Sequence, residues 1–249
     1  MSTRPVPEAS GTEAEFLARY RRNRYHLPAV AVDVVIFTIL DTDLKVLLVR
    51  RNEHPFRGFR ALPGGFVDVG DTFEHQGEDI EAAAQRVLHT KTGLPVGTVY
   101  LEQLYTFGQA GRDPRMRVVS VAHYALVQPD LAPLVRAGGS ASEVEWVSLP
   151  AALREPLAFD HSRILEMAHG RIQGKLDYTD IAFELVPETF SIQELRSVHE
   201  AILGTTHDPG NFRRRFGRML ADGIIERAPG KRLTASKPAS VYRFSRKRP

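Results

Sequence analysis

Two stretches of the chain concentrate residues that could do chemistry. The first, NFRRRFGRML (Asn211 to Leu220), sets four arginines and an asparagine around two phenylalanines. At about 100° per residue, Phe212, Phe216, Met219 and Leu220 share one side of a helix, and Asn211, Arg214, Arg215 and Arg218 share the other. Such a helix docks by its aromatics and turns guanidinium and amide groups outward. Arginine can bridge the two acceptors of guanine, asparagine can pair with adenine, and both grip phosphates. The reading is DNA contact through Asn211, Arg213, Arg214, Arg215 and Arg218, against the plainer alternative of a solvated face. Lys231, Arg232 and Lys237, in the basic segment APGKRLTASKPAS, add candidate phosphate contacts. The second stretch opens GGFVD (Gly64 to Asp68) and closes RVLHTKTGL (Arg86 to Leu94). Positions 87, 90 and 91 are spaced i, i+3, i+4 and so share a helix face. Carboxylates there would hold divalent cations, and those cations would polarise a diphosphate and activate water. Val87, Thr90 and Lys91 supply a hydrocarbon, a neutral hydroxyl and an ammonium instead.

The surrounding elements follow from pattern. Ala14 to Tyr25 reads as a short helix. Ala29–Leu40 and Leu44–Arg50 are β-rich, with a turn at Asp41-Thr42-Asp43 between them, which makes a hairpin. A loop carries Pro55, Gly58 and Pro63 into GGFVD; Asp79 to Thr92 reads as a helix stopped by Gly93. Strands are expected at Val96–Phe107, Arg117–Val127 and Glu143–Val147, and a connecting helix at His161–Ile172. After a short helix over Tyr178–Leu185, Ser191-Ile192-Gln193-Glu194 is a capping box that opens another, ended by Gly204. Asp208 then caps the arginine-rich helix, with Pro209 at its first position. Two helices joined by a short glycine-containing turn form a helix-turn-helix. Ile224–Arg227 and Val241–Phe244 would pair as strands around a wing.

At 249 residues and 43% hydrophobic content the chain can bury one large or two modest cores. It has no cysteine, hence no disulfide and no thiolate metal site. No apolar run approaches membrane-spanning length, and the opening MSTRPVPEASG reads as a tail without a signal core. A cytoplasmic protein with no membrane partner is the expectation. Charge is divided unevenly. Residues 171–249 hold 15 Lys+Arg against 9 Asp+Glu, while residues 1–170 hold 18 against 21. A basic C-terminal third on a mildly acidic body suits an anionic polymer partner for that third.

The Gly64–Leu94 stretch resembles the Nudix box, the loop–helix–loop signature of enzymes that cleave nucleoside diphosphates linked to another moiety. Arg86, Leu88, Gly93 and Leu94 match it; the three glutamate positions of its closing segment hold Val87, Thr90 and Lys91, and Glu78 stands at the upstream glutamate position. The span from Gly65 to Glu78 is longer than usual, so VGDTFEHQ reads as an insertion. Joined to a winged helix, the whole is similar to the Nudix-related transcriptional regulators, the NrtR family. The specific pieces are ALPGGFV (Ala61 to Val67), GRDPR (Gly111 to Arg115), NFRRR (Asn211 to Arg215) and KPASVYRF (Lys237 to Phe244). One departure is Arg60, where the family often has tryptophan.

The resemblance implies an α/β/α Nudix sandwich followed by a winged helix-turn-helix. It divides the chain into a tail and short helix (1–27), a ligand-sensing domain (28–160), a connector (161–176) and a DNA-binding domain (177–249). It implies a homodimeric repressor of NAD-biosynthesis genes on a pseudo-palindromic double-stranded operator, with ADP-ribose or a related nucleotide as effector. No catalytic residue, no metal and no required cofactor are expected. A diphosphate needs cations and an adenine needs an apolar wall. Arg50, Arg51, Arg60, Arg112 and Arg115 are candidate cations, each equally able to be a surface ion pair. Phe66 and Phe107 are candidate walls, and Phe107 is equally a core residue. Lys91 would supply the charge a metal supplies in an enzyme, beside the diphosphate or beside Glu78; otherwise it is a solvent-facing helix lysine. Two other readings stay open. One is an ADP-ribose pyrophosphatase holding metal through Glu78, Glu81 or Glu74; the other is a sugar-catabolism regulator sensing a sugar or sugar phosphate.

Overall fold

The computed structural model describes residues 12, 15, 26–71, 75–94, 97, 99–135, 143–177, 179–233 and 237–245. The expected N-terminal helix, Glu74 and the Arg246-Lys247-Arg248 tail lie outside or largely outside them.

The N-terminal part is organised by β1 (Ala29–Leu40), whose sequence AVAVDVVIFTIL contains one charged residue, Asp33. Strand side chains alternate between the two faces. Val35, Phe37 and Ile39 enter one core, and Val32, Val34 and Ile36 enter another on the opposite face. A strand covered on both sides reads as a near-continuous apolar run. β1 pairs antiparallel with β2 (Asp43–Arg50) through the short turn. It also pairs antiparallel with β4 (Gly64–Phe66), itself just after the two-residue β3 (Arg60–Ala61). The GG segment, expected as loop, is therefore a strand. α1 (Ile80–Thr92) follows and ends at Gly93, whose φ of 73° is the left-handed conformation that suits glycine. Ala83, Val87 and Leu88 press α1 onto the Val32–Ile36 face.

β5 (Tyr100–Phe107) pairs antiparallel with β6 (Val118–Leu126), which runs parallel to β1. β7 (Val144–Ser148) joins β2, giving the order β3-β2-β1-β6-β5 with β4 on β1 and β7 on β2. The one-turn α2 (Leu149–Ala152) leads to α3 (His161–Lys175) on the other face. Ile164, Leu165, Ala168 and Ile172 are fully buried there, so the segment expected as a connector is a wall of the core. The layers are α/β/α.

The C-terminal part begins with a short helix of 3-10 type at Ile181–Leu185, within the stretch expected to be helical. α4 (Ile192–Leu203) has the capping box: Ser191 Oγ accepts from the Glu194 N–H, and the Glu194 carboxylate accepts from the Ser191 N–H. α5 (Pro209–Ala221) is capped by Asp208, whose carboxylate accepts from the Asn211 N–H at 2.7 Å. β8 (Ile225–Arg232) and β9 (Ala239–Phe244) form the two-stranded wing sheet. β8 continues past the expected Arg227, so the wing is shorter than its sequence suggested. Phe183, Phe190, Leu195, Val198, Ile202, Phe212 and Phe216 join the same core cluster as the α3 face of the sheet. Among the described residues, no helix is long and apolar enough to cross a membrane.

Candidate functional site

A cavity of about 280 Å³ opens where β1, β2, β4, the C-terminal end of α1, the loop 108–117 and the start of α3 converge. Its charged lining comprises Arg50, Arg51, Lys91, Arg112 and Arg115 against Asp33, Glu53 and Asp113, two more cations than anions. That balance suits a doubly charged diphosphate. Its size and mixed lining are those of a small-molecule pocket.

The floor is a buried polar network. Asp33 is 6% exposed. Its Oδ2 accepts from Ser120 Oγ at 2.6 Å and from Arg112 Nη2 at 3.3 Å. Arg112 also holds Asp160 through two bonds of 2.9 and 2.5 Å. These carboxylates outweigh burial and raise the pKa of Arg112, so it stays charged. The Leu62 N–H donates to His161 Nδ1 at 2.9 Å, so that nitrogen is the acceptor and the proton sits on Nε2, 3.4 Å from Asp33 Oδ1. Burial lowers the His161 pKa and keeps this neutral tautomer. Gly64 is required beside the network: a Cβ there would lie 2.3 Å from Asp33 Oδ1.

The rim combines cations with aromatic faces. Arg115 makes a two-bond pair with Asp113 and lies 5.4 Å from the Phe66 centroid and 5.9 Å from that of Phe159. Arg51 lies over Phe159 at 4.9 Å. Phe159 adopts φ 56°, unusual for a residue with a bulky side chain. Burial, followed by the charge of Arg115, lowers the Arg51 pKa; burial lowers that of Lys91, opposed by Glu53.

Of the nine residues singled out for ligand binding, Arg50, Arg51, Phe66, Lys91, Arg112 and Arg115 line this cavity. Three do not. Phe107 is 4% exposed and packs in the core beneath α3. A register shift between Gln103 and Tyr105 changes the strand's parity, so Leu104 and Phe107 enter the same core. Arg60 is taken by Glu145 at 2.6 Å and Glu155 at 2.8 Å. Glu78 is held by Arg86 through both oxygens, at 2.9 and 2.5 Å, and accepts the Asp68 N–H. Those bonds, the Arg86 one foremost, lower its pKa. Asp33, Phe159 and His161 line the cavity although the sequence reading missed them. Asp160 was missed too.

A divalent cation does not fit the Nudix-box residues present. Val87 is buried in the core, Thr90 and Glu81 are exposed, Lys91 brings an ammonium, and the Glu78 carboxylate is neutralised by Arg86. Among the described residues no three His, Asp or Glu side chains cluster as metal ligands.

The second region is α5. Phe212 and Phe216 are buried; Asn211, Arg213, Arg214 and Arg218 are exposed. Arg215 departs from that outward row. It turns back to Asp177 Oδ1 at 3.3 Å and the Leu176 carbonyl at 3.4 Å, at the C-terminal end of α3. Lys231 and Lys237 are exposed on the wing, whereas Arg232 is drawn to Glu194 at 3.2 Å and to the Thr189 carbonyl.

Residues 29–168 match the NUDIX domain and residues 182–244 the NrtR DNA-binding winged helix domain. The chain is 36% identical over 234 residues to the ADPR responsive transcriptional repressor NtrR of Acinetobacter baylyi, covering 94% of this chain and 89% of that one. It is 37% identical over 150 residues to the ADP-ribose pyrophosphatase of Methanocaldococcus jannaschii, covering 60% and 77%. Shewanella oneidensis NrtR, solved with a 27mer DNA, superposes with a TM-score of 0.73 at 38% identity, covering 86% and 93%. Its NUDIX domain, solved with ADP ribose, superposes with a TM-score of 0.55 at 40% identity, covering 65% and 99%.

Proposed function

From the premise that the chain belongs to the NrtR family of Nudix-related transcriptional regulators, we propose that it is an ADP-ribose-responsive DNA-binding repressor whose Nudix domain binds its ligand without cleaving it. The observation that carries this reading is the pairing of a cation-rich, aromatic-rimmed cavity with metal positions that cannot hold metal. Arg50, Arg51, Lys91, Arg112 and Arg115 take the diphosphate; Phe66 and Phe159 flank the adenine. α5 enters the major groove with Asn211, Arg213, Arg214 and Arg218, and Lys231 and Lys237 steady the wing on phosphate. Two copies in a homodimer read a pseudo-palindromic operator, with NAD-biosynthesis genes as targets. The support lies in the relatives: a repressor named as ADPR-responsive, and an NrtR solved with DNA and, as its NUDIX domain, with ADP ribose.

The pyrophosphatase relative favours a second reading, hydrolysis of ADP-ribose. Val87, Thr90, Lys91 and the Arg86–Glu78 pair weigh against it. Gel-shift binding to DNA upstream of this gene and its neighbours, with and without ADP-ribose, tests the proposal. A specific complex that ADP-ribose dissolves is expected; no complex, or one indifferent to ADP-ribose, would refute it.

A further inference from the structure

α3 joins the cavity to the recognition helix, and the side chain of its N-cap residue is bonded away from the helix. Asp160 stands at the N-cap of α3, yet its side chain makes no capping bond. Its carboxylate is instead committed to Arg112, a cavity-lining residue only 5% exposed. The first N–H groups of any helix lack intrahelical acceptors, and an N-cap aspartate usually satisfies one of them from an extended backbone. Here Asp160 has φ −100° and ψ 23°, and it follows Phe159 in the left-handed region. The pairing with Arg112 therefore accompanies a backbone turn that keeps Asp160 from capping.

We propose that Asp160 is the coupling switch of the protein. Without ligand it holds Arg112; when an anionic diphosphate claims Arg112, Asp160 rotates to cap α3 and moves the start of that helix. This rests on the ligand-responsive DNA-binding reading given above.

Movement at the start of α3 reaches DNA because its other end grips both helices of the helix-turn-helix. The helix is about 22 Å long at 1.5 Å per residue. Near its end, His169 Nε2 and Gln173 Nε2 contact the Ile202 carbonyl in the last turn of α4, at 2.9 and 3.1 Å. Arg215 of α5 reaches the Leu176 carbonyl, where a cation also complements the helix dipole. A shift of α3 thus alters where α5 sits, although no ligand touches it. Two alternative partners for one carboxylate, each favoured by a different ligation state, form the bistable element that coupling requires.

The test uses Asp160→Asn in the full chain. Asparagine caps a helix as well as aspartate but lacks the charge that holds Arg112. The variant is then biased toward the ligand-bound arrangement. A shift of the two-state equilibrium toward the ligand-bound arrangement must weaken DNA binding and tighten ligand binding. Operator binding by anisotropy should weaken about fivefold or more, and ADP-ribose binding by calorimetry should tighten. Asp160→Ser, which also caps and cannot hold a guanidinium, must behave alike, which separates the effect from faulty folding of one variant. Weakening of both affinities in both variants, or change in neither, overturns the proposal. If wild-type protein shows no ADP-ribose effect on its operator, the functional reading itself fails, before the switch is at issue.

Discussion

The cavity and the recognition helix both rely on arginine, and they hold it in opposite ways. In the cavity each guanidinium is held by acceptors of the protein itself: Arg112 by Asp33 and Asp160, Arg115 by Asp113, Arg50 by Glu143 and the Gly58 carbonyl, Arg51 by the Pro55 carbonyl. On α5, Arg213, Arg214 and Arg218 are exposed, and Arg214 bonds only its helical neighbour Asn211 among the described contacts. The first arrangement suits a small ligand, because little side-chain ordering beyond the exchange at Asp160 remains to oppose binding. The second suits a long deformable polymer, where side chains settle onto phosphates and base edges as the groove closes on them. Arg215 marks the border. It sits on the DNA helix but is fixed like a cavity arginine, against α3.

Arg112→Ala should expose this difference most strongly. It leaves Asp33, buried, and Asp160 without their shared cation; losing one partner of a buried ion pair costs about 3–5 kcal/mol. Chemical denaturation should report that loss. The same measurement on Arg213→Ala should stay within about 0.5 kcal/mol of wild type, as exposed changes do. Equal stabilities for the two variants would erase the contrast.

Acid comes next: the DNA side holds a buried neutral histidine, as the cavity does in His161. His199 on α4 is 1% exposed, with neither ring nitrogen hydrogen-bonded, and it packs edge-on against Phe212 of α5 at 5.3 Å. Burial, then the charge of Arg215, pushes its pKa down to about 3. In the unfolded chain a histidine protonates near about 6.5. Protons therefore favour the unfolded state, and stability present at pH 7 drains as pH falls from about 6.5 toward about 3. His199→Leu should flatten that decline, read as urea midpoints across the range; an unaltered slope would count against the assignment.

On the DNA side, Arg214→Ala should cost about 1–3 kcal/mol of operator affinity and relax preference at one base pair. Replacing an exposed arginine that meets only phosphate should instead reduce the salt slope by about 0.9. An operator affinity untouched by Arg214→Ala would mean that α5 does not read the bases. The smallest effect expected on DNA belongs to Lys91→Glu. It adds a negative charge to the cavity and should weaken ADP-ribose binding, while operator affinity without ligand stays within a few tenths of a kcal/mol. Calorimetry showing unchanged ligand affinity would remove Lys91 from the site.

Local patterns were legible in the sequence and long-range meetings were not. The capping box at Ser191, the Asp208-Pro209 helix start, the Gly93 stop and the buried Phe212–Phe216 face are set within a few residues, and all stand as read. The strand at Gly64–Phe66 is too short to show a period, and it exists only because β1 offers it an edge. The Asp33, Ser120, Arg112, Asp160 and His161 network brings together β1, β6, a loop and α3, so no spacing predicts it. The one local hint was an aspartate inside an otherwise apolar strand. Phe107 was ambiguous because a bulge breaks the alternation that would have set its face. Arg215 lay on the polar side of the helical wheel, and only the position of α3 draws it away from DNA.

A Nudix domain that senses a nucleotide without consuming it must release DNA while the nucleotide stays whole. One titration tests it: fluorescence anisotropy of labelled operator bound to wild-type protein, with ADP-ribose added in Mg²⁺ and the products of diphosphate cleavage assayed in the same sample. Anisotropy should fall to the free-DNA value while the ADP-ribose remains intact. Anisotropy that stays high at saturating ADP-ribose, or that falls only as cleavage products accumulate, would contradict it.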